Sequence, residues 1–405
     1  MIDVTVIADD LTGAADCGIA FTLAGLPAFI ALAEAEAPAA TRILVVDTDS
    51  RALAPAAAAE RVRAAARRAH RLGTGIIYKK IDSTLRGHIG AELAALCSAA
   101  AEAGKPPVTV IAPAFPQLGR MTRGGRVLVD GIPLGDTEVW GRSGMRGPAD
   151  LVPMLRHAGF EAEVAAHPGA LAPLVASGAR FVVCDAGHDD DLRGIAEAAA
   201  GIPGHVIWVG SAGLARHLPA ALQLRPAADL FPAPAWPTGP ILTLVGSRST
   251  VSREQARRLA AESGVECFIL DPACLLAGEN GAGWAASAAG LERALAAGRD
   301  AVLIIRADPQ IDLRHGPALA AALARLAAPH HGRLGGLVAT GGDTAKAVLD
   351  AIGARGVQLV RELEPGVPIG LADLARPLPF VAKSGAFGQP STLQHCRRAL
   401  KQGRI

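Results

Sequence analysis

The sequence predicts an α/β protein of two domains, each a mostly parallel sheet flanked by helices. Short runs rich in Val and Ile alternate with longer Ala- and Leu-rich stretches of helical period, the pattern of strands covered on both faces by crossover helices. One Pro-rich stretch interrupts the alternation, which then restarts. The chain has 405 residues, 50% of them hydrophobic, enough for more than one core.

In the first half, strands are expected at residues 4–8, 43–47, 75–80, 109–112, 181–185 and 206–210. Several end in a polar residue or Gly. Ligands of open α/β sheets bind outside the carboxyl ends of the strands, so those residues are the first candidates for chemistry. From Leu224 to Pro240 the chain reads LRPAADLFPAPAWPTGP. Its prolines remove backbone donors and fix φ, so neither a long helix nor a central strand runs through it. The expected division is an N-terminal domain over 1–225, a linker over 226–240 and a C-terminal domain over 241–405, with further strands at 241–246, 267–270, 301–306 and 336–340. The Ala-rich segments read as helix, because Ala has the highest helix propensity.

Lys and Arg number 40 against 38 Asp and Glu, without the basic excess of a sequence-independent nucleic-acid binder. No nucleic-acid partner is expected. The opening MIDVTVIADDLTG places acids where a secretory signal has a basic region, and no later stretch is apolar for the length of a bilayer span. The expectation is a cytoplasmic protein without a membrane partner. Six cysteines show no CxxC pair and no nearby His cluster, which fits reduced, buried thiols better than a disulfide frame or zinc site.

The segment VIADDLTGAADCG runs from a strand into Asp9 and Asp10 and then a Thr-Gly turn that opens a helix. Paired carboxylates there can hold Mg²⁺, accept hydrogen bonds from a polyol or take a proton, whereas a helix cap needs only one acid. In VVDTDSRAL, Arg51 offers a bidentate fork to a carboxylate, with a solvated arginine after a turn as the alternative. The densest segment, IIYKKIDSTLRGHIGAEL, crowds Lys79, Lys80, Asp82, Ser83, Thr84 and Arg86 between a strand and the helix that Gly87 introduces. Cations and hydroxyls at one strand end suit a small, anionic, hydroxylated ligand. Alternation sends Lys79 and Lys80 to opposite faces, so one is expected to be structural; Lys80, nearest the turn, is the functional candidate. The loop APAFPQLGRMTRGGRVLVDGIPL ends in an expected β-hairpin over 125–133 and reads as a lid or as the arm of a homodimer.

In the second half, LTLVGSRSTVSREQ passes from a strand through Gly246, Ser247, Arg248 and Ser249 into a helix. LVATGGDTAKAVL repeats the design with Gly341, Gly342, Asp343 and Thr344. Glycines let the backbone approach closely, and the free amides at a helix start cradle phosphate. With KSGAFG over 383–388, these turns point to a nucleotide site. The P-loop pattern GxxxxGK[ST] is absent, so the phosphate-binding design is a different one. A GxGxxA match beginning at Gly281 lacks a preceding strand and is set aside.

Together, ADDLTGAADCG, YKKIDSTLRGHIGAEL, the Arg-and-Gly-rich loop, ATGGDTA and KSGAFG resemble the four-carbon acid sugar kinase family, over nearly the whole chain. The resemblance implies an N-terminal domain for a sugar acid, a C-terminal domain for ATP, and γ-phosphate transfer to the 4-hydroxyl of a tetronate. By motif it assigns Asp9, Asp10, Arg51, Lys80, Ile81, Asp82 and Ser83 to the acid, with Arg86 beside them. It assigns Ser247, Gly341, Gly342, Asp343, Thr344 and Gly385 to ATP, whose phosphates Mg²⁺ would bridge; no metal ligand is read from the sequence. Asp10 is the first candidate to accept the proton of the attacking hydroxyl and Asp343 the second. The Lys-Lys-Ile-Asp-Ser-Thr-Leu-Arg-Gly motif looks more like members acting on D-threonate or D-erythronate than like 3-oxotetronate 4-kinases. Ala15, Cys17 and Ala386 depart from residues frequent in the family, which bears on the choice of acid. A ribokinase-type sugar kinase would account for the 341–344 turn but not for DDLTG and IDSTLRG. A dehydrogenase lacks its dinucleotide fingerprint, and a non-catalytic sugar-acid sensor is the remaining class.

Overall fold

The structure, a computed structural model, describes the chain except for residues 142–144, 146–147, 228–235, 248, 280, 309–312, 386 and 404–405. The middle of the Pro-rich stretch, Arg248 and Ala386 therefore lie outside the described residues. The chain divides into two compact units: residues 1–28 with 38–230, and residues 29–37 with 231–405.

The strands up to the Pro-rich stretch are β1 (Val4–Ala8), β2 (Ala28–Leu32), β3 (Ile43–Asp47), β4 (Ile76–Lys80), β5 (Pro107–Ala112), β6 (Arg120–Arg123), β7 (Arg126–Val129), β8 (Ile132–Pro133), β9 (Ala162–Ala165), β10 (Phe181–Cys184) and β11 (His205–Gly210). The sheet of the first unit runs β3-β1-β4-β11-β5-β10-β9, with every one of these pairings parallel. VTVIA in β1 and ILVVD in β3 are buried at every position, as strands covered on both faces must be. The helices α1 (Leu11–Leu23), α2 (Pro55–Arg71) and α3 (Ile89–Glu102) follow β1, β3 and β4. From β1 the chain proceeds to β3 on one side and then to β4 on the other. The carboxyl ends of β1 and β4 thus form a topological switch point, where such sheets open a crevice.

A small antiparallel sheet, β6-β7-β8, stands apart from the main one. The expected hairpin is its β7–β8 half, and β6 extends it. Gly124 and Gly125, at φ 59° and 73°, turn β6 into β7, and their amides donate to the Asp185 carboxylate at 2.5 and 2.9 Å.

In the second unit, β12 (Ile241–Val245), β13 (Val265–Leu270), β14 (Asp300–Ile305), β15 (Gly336–Thr340), β16 (Gly356–Glu362), β17 (Pro368–Ala372) and β18 (Leu378–Lys383) run in the order β13-β14-β12-β15-β18-β17-β16-β2. The pairings from β13 to β18 are parallel and the remaining ones antiparallel. The last strand comes from the far N-terminal part of the chain: Ile30 pairs with Val357 and Phe29 with Gln358. The core joins Val245, Val302, Val338 and Val381 of the sheet to Leu259 of the helix Thr250–Ala260 and Leu393 of the helix Thr392–Gln402. Each such side chain contributes about 1.5–3 kcal/mol by its burial. The six cysteines are free; Cys17, Cys184 and Cys396 are buried as expected, Cys97 and Cys274 are only partly so, and Cys267 is exposed because it lies on the edge strand β13, where alternate residues face solvent. Among the described residues no helix is long and apolar enough to cross a membrane.

The β2–β16 pairing is tight enough to test. A Cβ at Gly356 would sit 2.2 Å from Phe29 Cζ and 2.4 Å from the Ile30 carbonyl oxygen, so the Gly356→Ala variant is expected to lose about 1–3 kcal/mol in urea unfolding of the second unit.

Candidate functional site

In the first unit, three strand ends bring their polar residues together. Asp10 adopts the extended conformation of an N-cap, and its carboxylate accepts from the Gly13 amide at 2.9 Å and the Thr12 hydroxyl at 2.6 Å. Asp9, almost wholly buried, receives the Arg51 fork: Nε at 2.7 Å and Nη2 at 2.8 Å. The same Nη2 reaches Asp10 at 2.8 Å, so one guanidinium joins both acids. The loop carrying Arg51 is held in turn by the amides of Ser50 and Arg51, which donate to the Asp9 carbonyl. Burial pushes the Asp9 carboxyl up, but Arg51, Lys79 and Lys80 outweigh it and leave the group below its ordinary range.

At the end of β4 the two lysines take different partners. Lys79 is fully buried and pairs with Glu92 of α3 at 2.9 Å; Glu92 also accepts from the Ser50 hydroxyl at 2.7 Å, and Ser50 meets Thr48 at 2.9 Å. Lys80 is buried as well, yet its ammonium donates to the Ile81 carbonyl at 3.0 Å and makes no ion pair within 4.0 Å among the described residues. Lys80 Nζ lies beside the first turn of α1, 3.1 Å from where a Cβ on Gly13 would stand. Ile81 continues the strand by donating to the Gly210 carbonyl. Asp82 takes the Arg86 fork at 2.8 and 2.9 Å together with the Thr84 hydroxyl and amide. Its carboxyl is pushed up by burial and pulled well below the usual range by Arg86, Arg51 and Lys80. Ser83 sits partly buried on this turn and takes no side-chain partner among the described residues.

Asp9, Asp10 and Asp82 therefore balance Arg51, Lys80 and Arg86, while Lys79 and Glu92 neutralise each other behind them. Donors remain unused: the Nη1 groups of Arg51 and Arg86, two hydrogens of Lys80 and the Ser83 hydroxyl, which can also accept. Such a set accepts an anion carrying hydroxyl groups. Sequence reasoning did not single out Glu92 or Thr48; the only signal for Glu92 is an acid in the first turn of a helix, which ordinarily reads as dipole complementarity.

In the second unit the tips of three adjacent strands meet. A Cβ at Gly246, after β12, would stand 2.1 Å from Thr344 Oγ1, and one at Gly385, after β18, 2.0 Å from Ser247 Oγ. Gly341, at φ 91°, caps the helix Gly342–Ala351 and donates to the Lys383 carbonyl at 2.8 Å. Ser247, the 341–344 turn and Gly385 thus pack into one patch at the switch point around β12, with the Thr344 and Ser247 hydroxyls against the glycines and two helix starts beside it. Asp343 is exposed in the first turn of its helix. A cleft runs from Gly246 and Ser247 past Arg253 to Ile305, Arg306 and Leu319. Arg253, which makes no ion pair among the described residues, was not singled out from the sequence, where it reads as a helix-surface residue. Among the described residues no three His, Cys, Asp or Glu side chains gather as a metal cage.

The ionic network of the first unit makes two expectations measurable. Glu92→Gln leaves the Lys79 ammonium buried without its partner and should cost about 3–5 kcal/mol in urea unfolding, most of which the double variant Lys79→Met with Glu92→Leu should recover. Because the folded Asp9 and Asp82 carboxyls lie below the ordinary 3.8, their stabilisation is complete above that pH and fades as pH falls through the folded values. Acid unfolding of Asp82→Asn should accordingly show a shallower decline below pH 3.8 than the unsubstituted protein.

A profile described as a sugar-binding N-terminal domain covers residues 4–218, and one described as a nucleotide-binding C-terminal domain covers residues 242–393. The D-threonate kinase of Cupriavidus necator is 40% identical over 98% of this chain and 98% of its own. The D-threonate kinase of Bordetella bronchiseptica is 34% identical over 99% and 98%, and the D-erythronate kinase of Heliobacterium modesticaldum 29% identical over 98% and 96%. A solved structure from Salmonella typhimurium LT2 superposes with a TM-score of 0.81 at 24% identity, covering 98% of this chain and 99% of that one, a likeness of fold. The chain belongs to the four-carbon acid sugar kinase family.

Proposed function

We propose that this protein is a cytoplasmic, ATP-dependent kinase that phosphorylates the 4-hydroxyl of a four-carbon sugar acid, with D-threonate or D-erythronate as the preferred substrate. One observation carries the assignment of the acid to the first unit. Lys80 is a buried ammonium without a carboxylate partner, in a cluster whose spare groups on Arg51, Arg86 and Ser83 are donors as well. An acid with several hydroxyls satisfies such a set, and the relatives' substrates are of that kind. The turns of Ser247, Gly341 to Thr344 and Gly385 hold the nucleotide phosphates through backbone amides.

Phosphoryl transfer requires in-line positioning and neutralisation of charge more than covalent chemistry from the protein. Lys80 and the free edge of Arg51 would orient the carboxylate, and Ser83 and Asp82 the hydroxyls. Asp10, set at the mouth of α1 by Thr12, Gly13 and Arg51, would accept the proton of the attacking hydroxyl, with Asp343 as the alternative. Mg²⁺ carried on the phosphates would neutralise the transferred group; it needs one or two protein carboxylates rather than a cage, and the exposed Asp343 is the candidate ligand.

Coupled ADP-release assays on D-threonate, L-threonate, D-erythronate and 3-oxotetronate should give the highest kcat/KM with D-threonate or D-erythronate. Asp10→Asn should lower kcat by about 10²–10⁴ with ADP affinity unchanged, and near-normal turnover would remove Asp10 from the proton-transfer role. Arg51→Lys, which cannot span both acids, should lose about a hundredfold in kcat/KM. In thermal shift, ATP should stabilise the protein by mass action. Stabilisation by NAD and not by ATP would overturn the kinase reading.

A further inference from the structure

After β18, the carbonyls of Ser384, Gly385, Phe387 and Gln389 all accept from buried side-chain donors beneath them. Lys383 Nζ donates to the Ser384 carbonyl at 2.7 Å and the Phe387 carbonyl at 2.8 Å. Ser252 Oγ donates to the Gly385 carbonyl at 2.8 Å, and Gln255 Nε2 to those of Phe387 at 3.1 Å and Gln389 at 2.8 Å. Ser252 and Gln255 lie on successive turns of the helix Thr250–Ala260 and are fully buried, as is Lys383. No ligand is needed to explain burying three polar side chains here, but their common target is specific: the backbone oxygens of a single turn. Glu364 completes the arrangement, accepting from Thr392 Oγ1 and His395 Nδ1 at 2.6 Å each and from the backbone at Gln389.

A trans peptide unit points its C=O and the following N–H in opposite directions. With the Ser384 and Phe387 carbonyls turned toward Lys383, the amides of Gly385 and Gly388 face away from it, and neither donates to a backbone or side-chain acceptor among the described residues. Gly385 closes directly over Ser247, so its amide belongs to the patch where the β12, β15 and β18 tips meet. We propose that Lys383, Ser252 and Gln255 are positioning residues for the nucleotide: they hold the carbonyls of Ser384, Gly385, Phe387 and Gln389 inward and thereby aim the Gly385 and Gly388 amides at a phosphate of ATP. The proposal rests on the reading of this unit as the ATP site. Lys383 suits the task chemically. Its ammonium faces carbonyls with only Glu364 and the Cys396 thiol as acidic neighbours, and burial draws its pKa down to about 8, so it serves as a multidentate donor rather than as half of an ion pair.

The test compares Ser252→Ala, Gln255→Leu and Lys383→Met with the unsubstituted protein. Isothermal titration with Mg·ATP gives Kd, and steady-state assays give KM for ATP and for D-threonate separately. Loss of bracing should raise Kd and KM for ATP by about fivefold in Ser252→Ala and about tenfold or more in Gln255→Leu, which releases two carbonyls. KM for D-threonate at saturating ATP should stay within about twofold. A merely structural role predicts a lower melting temperature with an unchanged Kd for ATP, and that result would overturn the proposal. Ser252→Ala removes one oxygen and keeps the test decisive where Lys383→Met does not fold. If the unsubstituted protein takes up no ATP, the nucleotide reading fails and the bracing role goes with it; if it binds ATP and all three variants bind alike, the bracing role fails alone.

Discussion

The first unit is organised around the cost of removing carboxylates from water. Asp9 and Asp82 are buried at the ends of neighbouring parallel strands, where an isolated charge would be several kcal/mol unfavourable. The bidentate forks of Arg51 and Arg86 offset this. Because Arg51 also reaches Asp10, the cap of α1, its single side chain fixes the relative placement of the β1 end, the α1 start and the loop after β3. Lys79 and Glu92 do the same one layer down, linking β4 and α3 to that loop through Ser50. Once these internal pairings are made, the cations still have donors left over, on the Nη1 groups of Arg51 and Arg86 and on Lys80.

The second unit meets a related demand without formal charge in the contact itself. A Cβ at Gly246 would meet the Thr344 side chain and one at Gly385 the Ser247 side chain, so hydroxyls and peptide units crowd together there, and the direction of each amide depends on where the carbonyl of its own peptide is bound. One unit thus arranges charged side chains on a rigid sheet end. The other arranges peptide dipoles.

Much of this was legible in the sequence. Buried parallel strands are apolar throughout, so β1, β3, β12 and β15 announce themselves, and the polar residues directly after them had to fall at the carboxyl edge of a sheet. The different fates of Lys79 and Lys80 follow from strand alternation. Three things were not legible. The short β9 and the antiparallel β16 mix buried with partly exposed positions and gave no distinct period, and β17 and β18, though buried throughout, were not picked out between their Pro- and Gly-rich turns. Glu92, Ser252 and Gln255 look like ordinary helix residues until the fold shows what they face. Membership of residues 29–37 in the second unit depends on pairing with a partner far down the chain, which no local pattern encodes.

That last feature affects how the protein can be divided. The chain enters the second unit, leaves it, and enters again after the Pro-rich stretch, so the sugar-acid and nucleotide halves are not separable modules joined by one tether. A fragment beginning at residue 241 would lack β2 and would present β16 as an unpaired edge with open backbone donors and acceptors, a template for pairing with another chain. Gene fusions, circular permutants and split reporters built on this scaffold must therefore carry the 29–37 segment with the C-terminal half.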